Sequence, residues 1–239
     1  MIRFDNVSKQ YAGHVALANI TVEIKDGEFV FLIGHSGAGK TTFLRLLIRD
    51  AIASKGTIHV DKWNLSKLGN NQIFMLRRHV GTVFQDFKLL NDRTVFENVS
   101  LGLEILGKKQ KEIHTRVMDV LELVGLADRR NYFPLQLSAG EMQRTSIARA
   151  IVGGPEILLA DEPTGNLDPQ TAWDILDILK EIHKIGTTVI MATHNETIVN
   201  DMKKRTIVIE QGQIISDEEK GRYHIQSKSK GKKSHESNA

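Results

Sequence analysis

A chain of 239 residues that is 41% apolar is long enough to bury a large core and suits one or two domains. It contains no cysteine, which excludes disulfides and thiolate metal sites and fits a reducing cytoplasm. The net charge of +3 belongs to the end of the chain, where Arg222, Lys228, Lys230, Lys232 and Lys233 face Glu236 alone; the body before it is close to neutral, so no nucleic-acid-binding face is expected there.

The first residues, Met1 to Gln10, are polar and lack the apolar run of a secretory signal. No stretch approaches the ~18 consecutive apolar residues that span a bilayer, so work at a membrane would need another chain's spans. Ile2 and Phe4, then Ile20, Val22 and Ile24, are apolar at period two and predict antiparallel strands with one solvated face. Lys25-Asp-Gly27 is a turn signal. The apolar run that follows, up to Ile33, predicts a parallel strand buried on both faces.

Residues 34–42 then read Gly-His-Ser-Gly-Ala-Gly-Lys-Thr-Thr, a complete G-x-x-x-x-G-K-[ST] loop, and leucines at helical spacing follow through Ile48. Strand, glycine turn and helix N-terminus make an anion site: Gly34, His35, Ser36, Gly37, Ala38 and Gly39 curl successive N–H groups around one phosphate, and the helix dipole adds favourable charge. Lys40 reaches the β- and γ-phosphates, the Thr41 hydroxyl is placed to ligate Mg²⁺, and Thr42 follows as a further cofactor-binding candidate. These residues predict a nucleoside triphosphate as ligand.

Gly56 to Asp61 predicts another strand, and the middle of the chain, about 70–153, is expected to be helical. There Ile113, Val117, Val120, Leu121 and Val124 share one helix face, and Thr94-x-x-Glu97 has the spacing of a capping box. Leu137-Ser-Ala-Gly-Glu141 has two compatible readings. Ser138 and Glu141 form a capping box for a helix carrying Ile147, Ala148 and Ile151, and a small-residue helix N-terminus is also a second phosphate platform. Such a platform is useful if it serves a neighbouring molecule.

Ile157-Leu-Leu-Ala160 predicts a strand ending in Asp161 and Glu162. Asp161 stands where a phosphate-loop fold holds Mg²⁺, and Glu162 one position on is placed to orient or deprotonate the attacking water. Thr171–Lys184 predicts a helix with Ala172, Ile175, Leu176, Leu179 and Ile182 on one stripe, Thr188–Ala192 a strand, and 205–216 a hairpin about Gln211-Gly212. The final ~15 residues, rich in Ser, Lys and Gly, are expected to be disordered.

The phosphate loop, Gln85, Leu-Ser-Ala-Gly-Glu (137–141), Ala-Asp-Glu-Pro-Thr-Gly-Asn-Leu-Asp (160–168) and His194 after a strand together resemble the ATP-binding cassettes of ABC systems over about residues 1–218. The stretch 81–99 is similar to the cassettes of bacterial division complexes; 160–168 is shared with lipoprotein-release and macrolide-export cassettes, which remain the alternative. A soluble ABC protein of translation or repair would carry two cassettes or a long insertion, and a small-molecule kinase would not need 137–141.

The resemblance implies an α/β P-loop NTPase: a RecA-like parallel core, an N-terminal antiparallel β subdomain and an inserted helical subdomain at about 86–153, with a basic tail from 219 to 239. It implies that Tyr11 stacks on adenine and that Gln85 touches Mg²⁺ and links the core to the helical subdomain. Ser138 and Gly140 would contact the γ-phosphate held by the opposite subunit of a head-to-tail homodimer, Asp168 would communicate across that dimer, and His194 would hydrogen-bond the γ-phosphate. Ala139 departs from the glycine of most cassettes, which bears on closure efficiency. The implied setting is the cytoplasmic face of the bacterial inner membrane, beside an integral membrane subunit received around 86–96 and division-site proteins. The tail's lysines either solubilise the chain or attract anionic lipid at about 1 kcal/mol each.

Overall fold

The computed structural model describes residues 1–221. The period-two segments form β1 (Ile2–Tyr11) and β2 (His14–Ile24), which pair antiparallel with Ile2 opposite Ile24 and Phe4 opposite Val22. With β4 (Lys55–Val60) and the short β5 (Trp63–Asn64) they make a four-stranded sheet in the order β2-β1-β4-β5.

The continuous apolar runs form the second sheet. β3 (Phe29–Ile33), β7 (Ile157–Asp161) and β8 (Thr188–Thr193) lie inside it, flanked by β6 (Val80–Val83) on one side and by the hairpin of β9 (Arg205–Glu210) and β10 (Gln213–Glu218) on the other. Its order is β10-β9-β3-β8-β7-β6, parallel except for β10.

Both faces are covered along β3, β7 and β8, which is why these strands carry no polar alternation, whereas the edge strand β10 alternates. Phe29, Phe31 and Ile33 join Leu158, Ala160, Val189 and Met191 on the face covered by α3 (Val95–Ile105), α4 (Gln110–Leu123), α5 (Ala139–Ile151) and α6 (Pro169–Lys184). Val30 and Leu32 join Leu159 and Ile190 on the face covered by α1 (Lys40–Leu47) and the antiparallel sheet. Phe4 of β1 stacks on Phe43 of α1 with ring centroids 4.2 Å apart, fixing α1 between the two sheets.

The expected helicity of 70–153 needs one correction. α2 (Ile73–His79) runs directly into β6, which pairs parallel with β7 and forms an edge of the central sheet. Four residues, one of them glycine, are too short to show a period, but pairing Val80 with Ile157 and Val83 with Ala160 overrides that weak local signal. Between β8 and β9 lies a seventh helix, α7 (Glu196–Met202), which the periodicity does not announce. The described residues also run past the expected tail boundary at 219: Gly221 is buried and donates its N–H to the Lys204 carbonyl at 3.3 Å. The lysine-rich tail, 222 onward, lies outside the described residues.

Candidate functional site

The loop between β3 and α1 is shaped by backbone rather than side chains. Gly39 adopts φ 115°, and a Cβ there would lie 2.6 Å from the Ala16 carbonyl oxygen and 2.7 Å from Leu17 Cδ2. Only glycine fits that turn against β2. No side chain caps α1, so its first N–H groups are left for a ligand, and Gly37, Gly39, Thr41 and Thr42 line the adjoining cavity. Lys40 is buried, with Nζ donating to the Gly34 and His35 carbonyls at 2.8 and 3.2 Å.

The cavity, about 710 Å³, gathers distant pieces of the chain: Tyr11 from β1, the phosphate loop from His35 to Thr42 except Ala38, Gln85 after β6, Glu162 after β7 and His194 after β8; Gly34 and Ala38 shape the loop from outside the wall. All but Tyr11, which comes from the antiparallel sheet, follow the C-terminal ends of parallel strands, where open α/β sheets bind ligands. Tyr11 carries Lys9 Nζ 4.6 Å from its ring centroid.

Glu162 sits at φ 49°, a left-handed conformation uncommon for a non-glycine residue, and its N–H is held by the Ala192 carbonyl at 2.9 Å. That pose brings its carboxylate to 3.5 Å from Lys40 Nζ and 3.0 Å from His194 Nδ1. A carboxylate, an ammonium and an imidazole thus meet at one point of the cavity wall, the set needed to bind a terminal phosphate and accept a proton from water.

Asp161, one residue earlier, is mostly buried. Burial pushes its carboxyl above the ordinary range and the Glu162 charge acts the same way, whereas the Thr41 hydroxyl and Lys40 pull it down. Its Oδ1 is buried with no hydrogen-bond partner. An orphaned carboxylate oxygen beside a threonine hydroxyl fits a hard divalent cation; Asp161 lies behind the cavity wall, in which Thr41 and Gln85 stand. No group of three or more His, Cys, Asp or Glu that could hold a metal ion is found among the described residues.

Ser138, Gly140 and Asp168 are absent from the cavity wall and form a second group. Ser138 caps α5: its Oγ accepts from the Glu141 N–H at 3.3 Å, and Glu141 Oε2 accepts the Ser138 N–H at 2.8 Å. That N–H, with Arg129 behind it, holds the Glu141 carboxyl below the usual range. Asp168 caps α6 by accepting from the Thr171 N–H at 3.1 Å. The two caps abut, since a Cβ on Gly140 would lie 2.5 Å from Thr171 Cγ2. The N–H groups of Ala139 and Gly140 have no intrahelical acceptor. Ala139 is the first residue of α5 and has no positive φ, so its methyl group occupies an ordinary helical position.

The family model for the ABC transporter matches residues 17–165. The chain belongs to that family. This cassette is 50% identical to the cell division ATP-binding protein FtsE of Bacillus subtilis over 224 residues, 93% of this chain and 98% of that protein. It is 48% identical to FtsE of Streptococcus pneumoniae over 219 residues, 92% and 95% of the two chains. Among solved structures, the dimeric post-hydrolysis state of the ATP-binding cassette MJ0796 bound to ADP and Pi superposes with a TM-score of 0.86, at 32% identity over 93% of the cassette and all of that chain.

Three cavity residues of the cassette escape the sequence reading: His14, Ala16 and Glu196. His14 follows the Gly13 turn of the first hairpin (φ 74°), and Glu196 opens α7 behind the Asn195 cap. Those turn and cap residues are the signals that were available.

Proposed function

We propose that this chain is the ATP-binding and ATP-hydrolysing subunit of a bacterial cell-division complex, working as a homodimer beneath an integral membrane subunit similar to FtsX and regulating cell-wall hydrolases through it. The observation that carries the reading is the single cavity that joins the phosphate loop to Gln85, Glu162 and His194. The names of relatives 48–50% identical over more than 90% of both chains support the division role.

In this reading Tyr11 stacks on the base, and Lys40 exchanges its carbonyl partners for the β- and γ-phosphates. Asp161, Thr41 and Gln85 would hold Mg²⁺, which would supply neutralisation of developing phosphate charge. Glu162 orients and deprotonates water, and His194, 3.0 Å from it, keeps that carboxylate aimed and donates to the γ-phosphate. The Ser138–Gly140 and Asp168 caps, lying together away from the cavity, serve the nucleotide of the second copy. ATP then favours closure because it touches both copies only when they meet.

In this reading residues around 86–96, at the start of the helical subdomain, receive the membrane partner, and the groove beside that subdomain, which none of them lines, extends the contact surface. A groove of about 580 Å³ runs between α2 and α3, lined by Phe74, Arg77 and Arg78 on one side and Ile105 and Leu106 on the other. Phe74 and Ile105 are 49% and 68% exposed. An amphipathic cytoplasmic helix with acidic residues at its rim fits this groove. No helix among the described residues is long and apolar enough to cross a membrane, consistent with peripheral attachment through the partner.

Equilibrium binding of MgATP tests the core of the reading. The wild-type chain is expected to bind and Lys40→Ala to lose measurable affinity; equal binding by both refutes the assignment.

A further inference from the structure

The segment after Gln85 carries an unusual backbone. Phe87 and Lys88 are consecutive non-glycine residues at φ 57° and 51°, in the left-handed region that L side chains adopt rarely. The carbonyls of both converge on one guanidinium: Arg149 Nη2 donates to Phe87 at 2.7 Å and Nη1 to Lys88 at 2.6 Å.

Arg149 has no ion pair among the described residues, and burial alone pulls its basicity down. A half-buried cation that bonds only neutral carbonyls is costly unless those bonds are needed. Its planar fork suits two acceptors at once, which an ammonium does not match.

The anchor point is stiff. Arg149 lies in the last turn of α5, and α5 presses on β6 so closely that a Cβ at Gly81 would lie 2.5 Å from the Ala150 carbonyl oxygen. Further along the same segment, Asn98 of α3, fully buried, accepts from the Leu90 N–H and donates to the carbonyls of Leu90, Arg93 and Thr94. The loop is therefore clamped at both ends. The 13 residues of α5, about 20 Å long, join the Ser138 cap at one end to Arg149 at the other. Arg149 also lines the apolar groove between α2 and α3.

We infer that Arg149 is a positioning residue for Gln85: it latches the left-handed backbone at Phe87 and Lys88 to α5 and so sets the reach of Gln85 into the nucleotide cavity. This rests on the reading of that cavity as the ATP site. A displacement of α5, whether from its capped end or from the groove, is passed to Gln85 through this latch.

Two measurements on the full chain test it. In hydrogen exchange, Arg149→Met is expected to speed amide exchange of residues 86–90 at least roughly tenfold while the middle of α5 keeps its protection. In MgATP hydrolysis, the same variant is expected to lower kcat roughly tenfold with KM within about twofold. Placed in a Gln85→Ala background, it should lower kcat no further, because the residue acts through Gln85.

Unchanged exchange at 86–90 overturns the latch, and so do kcat losses that multiply in the double variant. Arg149→Lys, which keeps the charge but loses the fork, carries the same comparisons should Arg149→Met fail to fold. A wild-type chain that turns over no ATP refutes the ATPase reading, whereas the exchange measurement still decides the latch.

Discussion

Glu162→Gln separates binding from chemistry, and the structure fixes the direction of both effects. The carboxylate stands 3.5 Å from Lys40 Nζ and is only 17% exposed, so it competes with a terminal phosphate for that ammonium. Two unit charges 4 Å apart interact by about 1 kcal/mol in water and about 4 kcal/mol at an effective dielectric constant of 20. Removing the charge frees Lys40 and removes repulsion on the phosphate, so MgATP binding is expected to tighten by at least about fivefold. Glutamine keeps the shape but cannot take a proton from water, and loss of a general base costs about 10²–10⁴ in rate. Phosphate release under single-turnover conditions reads the rate, equilibrium binding reads the affinity, and light scattering in saturating MgATP reads dimerisation, which should persist. Undiminished hydrolysis, or a variant that binds MgATP more weakly than wild type, refutes the role assigned to this carboxylate.

Gly39→Ala is expected to abolish nucleotide binding by equilibrium measurement, because its Cβ would sit 2.6 Å from the Ala16 carbonyl oxygen at a φ of 115°. Ser138→Ala removes the α5 cap, at a cost of about 1 kcal/mol and a fall of about 2–4 °C in Tm by calorimetry, and should also reduce hydrolysis. For Asp161 the sign follows from its raised pKa: the native state holds the proton more tightly than the unfolded chain, so this group's effect on stability worsens as pH rises from the ordinary value of 3.8 through the raised one. Asp161→Asn is therefore expected to raise the Tm of the nucleotide-free chain at neutral pH, by about 2–4 °C per kcal/mol, with the gain vanishing in acid. The same variant should lose the further stabilisation that Mg²⁺ adds to ATP.

What was legible in the sequence was local. The Phe29–Ile33 run declares a strand covered on both faces, and two cap patterns, Thr94 with Glu97 and Ser138 with Glu141, mark helix starts where α3 and α5 begin. The glycine spacing of 34–39 likewise fixes a loop whose shape depends on few neighbours. What stayed hidden was decided at a distance. β6 exists because β7 pairs with it, and the seven residues of α7 complete too few turns to show a period. His14 and Glu196 enter the cavity by way of a hairpin and a short helix whose placement is tertiary. Arg149 reads as one more polar residue of an amphipathic helix until its two carbonyl partners, more than 60 positions earlier in the chain, are seen.

The strand order carries a lesson about synthesis. β3 is complete once residue 33 is made, yet both neighbours it needs, β8 and β9, begin at Thr188 and Arg205. At about 5–20 residues per second, the ribosome takes roughly 8–30 s to deliver the first of them. Through that interval a strongly apolar segment waits with both edges unpaired, open to association with other chains. Tolerance of ribosome stalling should accordingly change sharply near residue 205, where the last parallel strand arrives and the nucleotide itself can begin to hold the product together.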